Sequence, residues 1–264
     1  MNVFFRELKA NRRALLIWSA CMFLLVASGM GKYTAYSSGG QNADIFNTMP
    51  YSLKALLGIG SFDVTTMSGY FALLFLYIEL AAAIHAVLLG AGIVAKEERD
   101  KTSEFLMTKP ISRTTVITGK LFTAFVNVVV LNIVSLVSSI AMVSLYNKGQ
   151  DISSEIALFL LSMFIVQLIF LSLGAALAAS MKNPKASGSL AAGILFAAFV
   201  ISKITDLTDR VNFLNLFSPF KYFNYKDLVE GDGLNITIVV LSLLLVAVFS
   251  VSTYYFYPRR DLHV

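Results

Sequence analysis

Carboxylates within or beside apolar stretches are the side chains of this sequence that could do chemistry. Glu79 lies in the apolar run LYIEL, and Glu97 and Glu98 begin a charged segment. A carboxylate in an apolar run is a candidate for binding a cation or a proton; the alternative is that Glu79 is protonated or hydrogen-bonded and stabilises packing. His85 follows Glu79 by six residues, which places it about 240° around an ideal helix, so the two form no dyad. With 2 histidines and 1 cysteine in the chain, we expect no metal site.

The composition predicts which elements must position these side chains. Of 264 residues, 57% are hydrophobic and 14% are charged, and the mean hydropathy is +0.73; a soluble domain carries about 25% charged residues. Each membrane-spanning helix needs about 20 mostly apolar residues. The chain therefore has room for five or six spans and little left for a soluble catalytic or nucleotide-binding domain. We expect an all-α integral membrane protein.

Hydropathy along the chain predicts six spans joined by polar segments. The apolar and basic start, residues 1–13, is typical of an interfacial helix. The run that follows it is interpreted as a retained span rather than a cleaved signal peptide. A surface helix is expected over residues 52–60, and short helices that dip into the outer leaflet are expected over the re-entrant region 205–233. The predicted spans are residues 14–30, 70–95, 115–145, 156–181, 186–204 and 234–257.

Basic residues predict the orientation of these spans. Most of the 21 Lys and Arg residues fall in segments that share one side of the membrane if there are six spans. The positive-inside rule then places both termini in the cytoplasm and region 205–233 outside the cell. The net charge of +5 is explained by these loop charges, and we expect no nucleic-acid partner, because the basic residues form no patch interleaved with aromatic residues.

The segment between the second and third spans has the most specific pattern. Acidic and basic residues alternate from Glu97 to Lys109 around the apolar group Phe105, Leu106 and Met107. Pro110 would end a short helix there, and Ser112 could cap the helix of the third span. Residues 96–113 are therefore predicted to form a helical elbow at the membrane surface; the alternative is an ordinary charged loop.

This segment resembles the signature of the ABC-2 type permeases, the membrane subunits of ATP-binding-cassette exporters. The resemblance extends through Phe5–Glu7, Pro50, Gly58, Gly69–Tyr70 and Ser218–Phe220. One departure is Lys101, where the family usually has glycine. The matching positions of the segment are Glu97, Glu98, Thr102, Glu104, Leu106, Pro110, Ser112, Arg113, Gly119 and Lys120.

The resemblance implies a single permease domain over residues 1–264 that dimerises, with itself or with a paralogous permease, and docks a separate ATPase. The elbow would be a cytoplasmic coupling helix, with the interfacial helix beside it. ATP and Mg would bind the ATPase chain, since the sequence lacks a GxxxxGK[ST] phosphate loop. We expect no cofactor on this chain. The residues expected to couple to the ATPase are Glu97, Glu98, Thr102, Glu104, Phe105, Leu106, Pro110 and Arg113.

The function implied is export of a hydrophobic or amphiphilic substrate, such as an antimicrobial peptide, a drug or a lipid, across the plasma membrane. Glu79 is the candidate residue for a substrate or ion pathway. The alternative function is a membrane-embedded enzyme of the glutamate-dependent intramembrane protease type, which would use Glu97 and Glu98. Small-x-x-x-small pairs at residues 188–193 indicate close helix packing, either within one subunit or across a dimer.

Overall fold

A computed structural model describes residues 3–34, 50, 53–54, 63–100, 111–146, 149, 151–230 and 233–259. Within these ranges the chain forms α-helices and short 3₁₀ turns and no strand. The 3₁₀ turns cover Pro184–Ala186, Asp209–Phe217 and Pro219–Lys221. The α-helices are α1 (Val3–Met30), α2 (Met67–Arg99), α3 (Arg113–Tyr146), α4 (Ser153–Ser180), α5 (Ser187–Leu207), α6 (Tyr225–Glu230) and α7 (Ile236–Arg259).

Six of these helices are long and apolar enough to cross a membrane: α1, α2, α3, α4, α5 with its preceding 3₁₀ turn, and α7. The prediction of an all-α membrane protein with six spans is confirmed. Four of the predicted spans lie inside these helices, whereas the predicted span 156–181 ends one residue after α4 and the predicted span 234–257 begins two residues before α7. Most of the helices extend further than the predicted spans, because a helix continues beyond the hydrocarbon region, which is about 30 Å thick.

The chain start differs from the prediction. Residues 1–13 were expected to form a separate interfacial helix, but α1 runs without a break from Val3 to Met30, through the expected boundary at Arg13. No glycine or proline occurs between Val3 and Ser28, so no residue there interrupts the helical hydrogen bonds. At 28 residues the helix is about 42 Å long, which exceeds the thickness of the hydrocarbon core. Whether its first turns lie in the interface stays a prediction.

The centre of the bundle is formed by α2 and α4. Their apolar windows are 61% and 67% buried, whereas those of the other spans are 11–33% buried. Two glycines allow the close contact: a Cβ atom at Gly90 would clash with the Leu171 carbonyl oxygen, and one at Gly174 would clash with the Val87 carbonyl oxygen. Close backbone approach through small residues is the ordinary way in which membrane helices pack.

A second contact joins the end of α1 to the start of α2. The Tyr70 hydroxyl donates a hydrogen bond to the Gly29 carbonyl oxygen at 2.7 Å, and the Tyr33 and Tyr70 rings lie 5.3 Å apart. Because α1 and α2 are antiparallel, this contact lies at the end of α1 opposite to Val3. It holds the chain close to α2 at that end.

The segment after α5 folds back onto the bundle. The Ser218 hydroxyl donates to the Ala198 carbonyl oxygen at 2.7 Å, and the Phe220 ring contacts the rings of Phe170 and Phe199. The short helices expected over residues 205–233 are therefore present, and they pack against α4 and α5. Their location outside the cell stays a prediction. The predicted surface helix 52–60 and the predicted elbow lie mainly outside the described residues.

Candidate functional site

Charged side chains meet where α1 begins, α2 ends and α3 begins; we call this the charged end of the bundle. The side chains of Arg6, Glu7, Lys96, Glu97 and Lys120 form the charge network. Segment 101–110, which lies outside the described residues, connects α2 to α3 at this end. The network therefore lies directly beside the predicted elbow.

Glu7 links α1 to α2. Its side chain is fully buried and accepts hydrogen bonds from Arg6 Nη2 at 3.0 Å and from Lys96 Nζ at 2.9 Å. A buried carboxylate is stable only when it is paired and hydrogen-bonded, because burial removes its hydration.

Lys120 links α3 to α2. Its side chain is also fully buried; its ammonium forms an ion pair with Glu97 and donates to the Ile93 carbonyl oxygen at 2.5 Å. Arg6 approaches Glu97 from α1 at 3.6 Å. Glu97 needs these cations, because a carboxylate near the carboxyl end of a helix is unfavourable in the helix dipole.

The glycine before Lys120 allows α1 to approach α3. A Cβ atom at Gly119 would lie 3.3 Å from the Val3 side chain, and the Thr123 hydroxyl lies 3.4 Å from the Phe4 carbonyl oxygen as well as bonding within α3. Sequence reasoning matched Gly119 and Lys120 only as positions in a pattern. The structure gives them physical roles: one allows close approach, and the other supplies the buried cation.

The predicted coupling residues separate into two groups. Glu97 and Glu98 are buried in the last turn of α2, and Arg113 Nη1 donates to the Pro258 carbonyl oxygen at 3.0 Å, which ties α3 to α7. Thr102, Glu104, Phe105, Leu106 and Pro110 lie outside the described residues. The coupling role of these residues stays a prediction. The sequence did not predict the charge network, because nothing in the sequence shows which charges meet.

Glu79 is held by the segment that folds back after α5. Its side chain is buried and accepts a hydrogen bond from the Tyr225 hydroxyl at 2.5 Å, and the Tyr225 ring packs edge-on against Phe75 and Phe159. Burial, together with the Glu79 carboxylate, raises the pKa of Tyr225 well above its ordinary value, so the hydroxyl keeps its proton and remains the donor. This geometry supports the packing interpretation of Glu79. A role in a substrate or ion pathway stays a prediction.

A polar link crosses the centre of the bundle. The Asn132 amide donates to the Gln167 side-chain oxygen, and the Gln167 amide donates to the Ala82 carbonyl oxygen at 3.3 Å. These contacts connect α3, α4 and α2 in the interior of the bundle. Side-chain amides hydrogen-bond between membrane helices because no water is there to satisfy them.

His85 faces a groove between α1 and α2. It is buried, and its ring packs edge-on against Trp18 with 5.2 Å between centroids. Its Nδ1 atom has no hydrogen-bond partner among the described residues. No group of three or more His, Cys, Asp or Glu side chains that could hold a metal occurs in the described part of the chain.

The fold and the charged end together define a polytopic membrane protein with six apolar helices, of which α1, α2 and α3 are joined by paired charges at one end. Comparison with protein families identifies it further: residues 1–262 match the family described as ABC-2 family transporter protein, so the chain belongs to that family. A search of curated proteins found no match.

The buried pair Lys120–Glu97 should contribute strongly to stability. Lys120→Met leaves the Glu97 carboxylate buried without its closest cation, which is expected to cost about 3–5 kcal/mol. Thermal unfolding in mild detergent measures the loss, and the double variant Lys120→Met with Glu97→Gln should recover part of it. Lys226→Met is the matched control, because the pair Lys226–Glu230 is half exposed and should contribute about 0–1 kcal/mol. Equal unfolding temperatures of Lys120→Met and Lys226→Met would contradict this role.

The contact of Glu79 with Tyr225 gives a second expectation. Tyr225→Phe removes the donor to a buried carboxylate and should destabilise the protein by about 1–3 kcal/mol. Glu79→Gln should cost less, because an amide oxygen still accepts the bond, whereas Glu79→Leu should cost about as much as Tyr225→Phe. The control is Tyr77→Phe in the same helix, since Tyr77 is exposed. Unfolding of Glu79→Gln as easily as Glu79→Leu would disprove the hydrogen-bonding role.

Proposed function

We propose that this chain is the membrane subunit of an ABC exporter that works as a dimer with a separate ATPase. It would move a hydrophobic or amphiphilic substrate, such as an antimicrobial peptide, a drug or a lipid, out of the cell. The observation that carries the proposal is the charge network, which joins the ends of α1, α2 and α3 on both sides of segment 101–110. Membership of the ABC-2 family supports it.

The network gives a physical route from the ATPase to the spans. Segment 101–110 begins four residues after Glu97 and ends ten residues before Lys120, which lies in the second turn of α3, and these two residues are paired with each other. A displacement of the segment would therefore move the ends of α2 and α3 together rather than stretch the connection. Lys96 and Glu7 extend this unit to α1. In this proposal ATP and Mg bind the partner chain, and the conformational change of that chain displaces residues 96–113.

The same proposal assigns the charged end to the cytoplasm, with both termini there and region 205–233 outside the cell. Support comes from the basic residues at this end, which outnumber the acidic ones in the described residues of α1–α3, as the positive-inside rule requires. Cytoplasmic ATP is then on the side where segment 101–110 lies.

The alternative, an intramembrane protease that uses Glu97 and Glu98, has weaker support. A catalytic glutamate must be free to bind a metal or a water molecule. Glu97 instead forms a buried ion pair with Lys120 and lies 3.6 Å from Arg6. Its carboxylate is already neutralised by two cations from neighbouring helices.

A dimer is supported by the small residues of α5. Gly188 and Gly193 have open space where a Cβ atom would be, and Ser189 is exposed. The pairs Gly188 with Ala192 and Ser189 with Gly193 are therefore not used for the closest packing within one subunit. A second membrane helix could approach this face closely.

Coupling to an ATPase can be tested on the elbow. The tagged chain, purified from its native membranes in mild detergent, should carry Mg-dependent ATP hydrolysis by a second chain. Phe105→Glu and Leu106→Glu should weaken that association about tenfold or more, since each replaces an apolar anchor worth about 1.5–3 kcal/mol. Leu53→Glu is the control, because Leu53 is an exposed apolar residue of another connection. Hydrolysis that is absent from wild type, or unchanged in both elbow variants, would contradict the coupling proposal.

The dimer face can be tested separately. Gly193→Leu should convert a dimeric complex into one with a single permease copy, because the added side chain blocks close approach of the partner helix. Native mass spectrometry of the purified complex counts the copies. Gly92→Leu in α2 is the matched control, since Gly92 also has open space at its Cβ position. A dimer that survives Gly193→Leu intact would exclude this face of α5 as the interface.

A further inference from the structure

A groove runs between α1 and α2 from the charged end toward the middle of the bundle. Its volume is about 300 Å³, and its lining includes Leu15 and Trp18 of α1 and Leu88, Leu89 and Gly92 of α2. Lys96 and Arg99 line it at the charged end, and His85 lines it at the inner end. Asn11 of α1 and Asn127 of α3 add two polar side chains to a wall that is otherwise mainly apolar, and the mouth is cationic.

The length of the groove matches one leaflet of a bilayer. Eleven residues separate His85 from Lys96, which corresponds to about 16 Å along an α-helix. Half of a hydrocarbon core about 30 Å thick is of similar depth. Leu88 is 41% exposed, so the groove is open along the side of the helices as well as at its mouth.

The charges at the mouth favour an anion. Lys96 is hydrogen-bonded to Glu7 through one of its three donors, and its side chain is 27% exposed. The Arg99 side chain is 57% exposed, and its Nε–H is directed to Asp100. Over the described residues of α1, α2 and α3 and the adjoining Asp100, basic residues at this end outnumber acidic ones: Arg6, Lys9, Arg12, Arg13, Lys96, Arg99, Arg113 and Lys120 against Glu7, Glu97, Glu98 and Asp100.

We propose that this groove binds one anionic phospholipid. Its phosphate group lies at Lys96 and Arg99, and one acyl chain lies along Leu15, Trp18 and Leu88. Basic pockets between membrane helices on the cytoplasmic side are a known type of site for anionic headgroups. The small volume suits a single acyl chain whose partner chain remains in the bilayer. The inner end of the site is His85, where the chain would end against the Trp18 and His85 rings.

This inference goes beyond the proposed function, because lipid binding at the groove needs neither ATP nor a transported substrate. Lipid bound in the groove would also lie next to the charge network. The occupant would contact α1 and α2 beside the Glu7–Lys96 pair, which belongs to the charge network. Bound lipid would therefore hold α1 against α2 at the end where the elbow begins.

Trp18 provides a direct readout, because the chain contains 1 tryptophan and it lines the groove. The full chain is placed in phosphatidylcholine nanodiscs that contain a small, fixed fraction of lipid with brominated acyl chains, which quench tryptophan on contact. The brominated lipid is either phosphatidylglycerol or phosphatidylcholine. We expect at least twofold stronger quenching by the phosphatidylglycerol at equal mole fraction.

Two variants test whether the groove causes this preference. Gly92→Leu fills the groove without a clash, because a Cβ atom there meets nothing within 4 Å, and it should abolish the preference. Arg99→Gln removes an exposed cation at the mouth and should bring the quenching by the two lipids closer to equal without affecting folding. Ala247→Leu adds an apolar side chain at an exposed position of α7, away from the groove, and should leave the preference unchanged.

Three results would overturn the proposal. Equal quenching by the two brominated lipids means that the mouth does not select an anion. A preference that persists in Gly92→Leu means that the anionic lipid binds elsewhere. Absence of quenching by either lipid means that protein, such as a second copy of the chain, covers Trp18. None of these results bears on ATPase coupling, so failure of this proposal is distinguishable from failure of the proposed function.

Discussion

Charges buried in an apolar bundle must be paired, and this constraint organises the charged end of the molecule. Lys120 and Glu7 are fully buried on different helices, and each would be destabilising alone because burial removes its hydration. Their partners, Glu97 and Lys96, are adjacent residues of α2. The pairing is therefore possible only when the starts of α1 and α3 both lie against the end of α2. The positions of three helix ends follow from the need to neutralise two side chains.

The rest of the bundle follows different physics. Apolar side chains surrounded by lipid gain little from burial against one another, so contact between membrane helices depends on close approach and on hydrogen bonds. Gly90 and Gly174 supply the close approach of α2 and α4, and Asn132 and Gln167 supply hydrogen bonds at depth. The outer helices α1, α5 and α7 lack comparable burial. Their exposed apolar side chains face lipid or further protein.

The spans could be predicted from the sequence because a run of about 20 apolar residues has few alternatives in a bilayer. Helix ends were less predictable: Arg12 and Arg13 suggested a boundary inside α1, yet basic residues do not interrupt helical hydrogen bonds. For the charged end, the sequence predicted only which segment of the chain would be involved. The charged segment that follows identified Glu97 as a candidate residue, but its pairing with Lys120 depends on tertiary packing. The same holds for the pairing of Glu79 with Tyr225, which are 146 residues apart in the sequence. Gly119 and Lys120 were found through a family pattern, and their roles needed the structure.

The two attachments of α1 have a mechanical consequence. One lies at Glu7 and Lys96 near the start of α1, and the other lies at Gly29 and Tyr70 near its end. A rod that is held at both ends cannot swing away from its neighbour; it can only bow outward between the attachments or rotate about its own axis. The width of the space between α1 and α2 is then governed by the stiffness of one uninterrupted helix. A force applied at the charged end would be transmitted along α1 to the opposite side of the membrane, because the helix has no hinge at which it could bend instead.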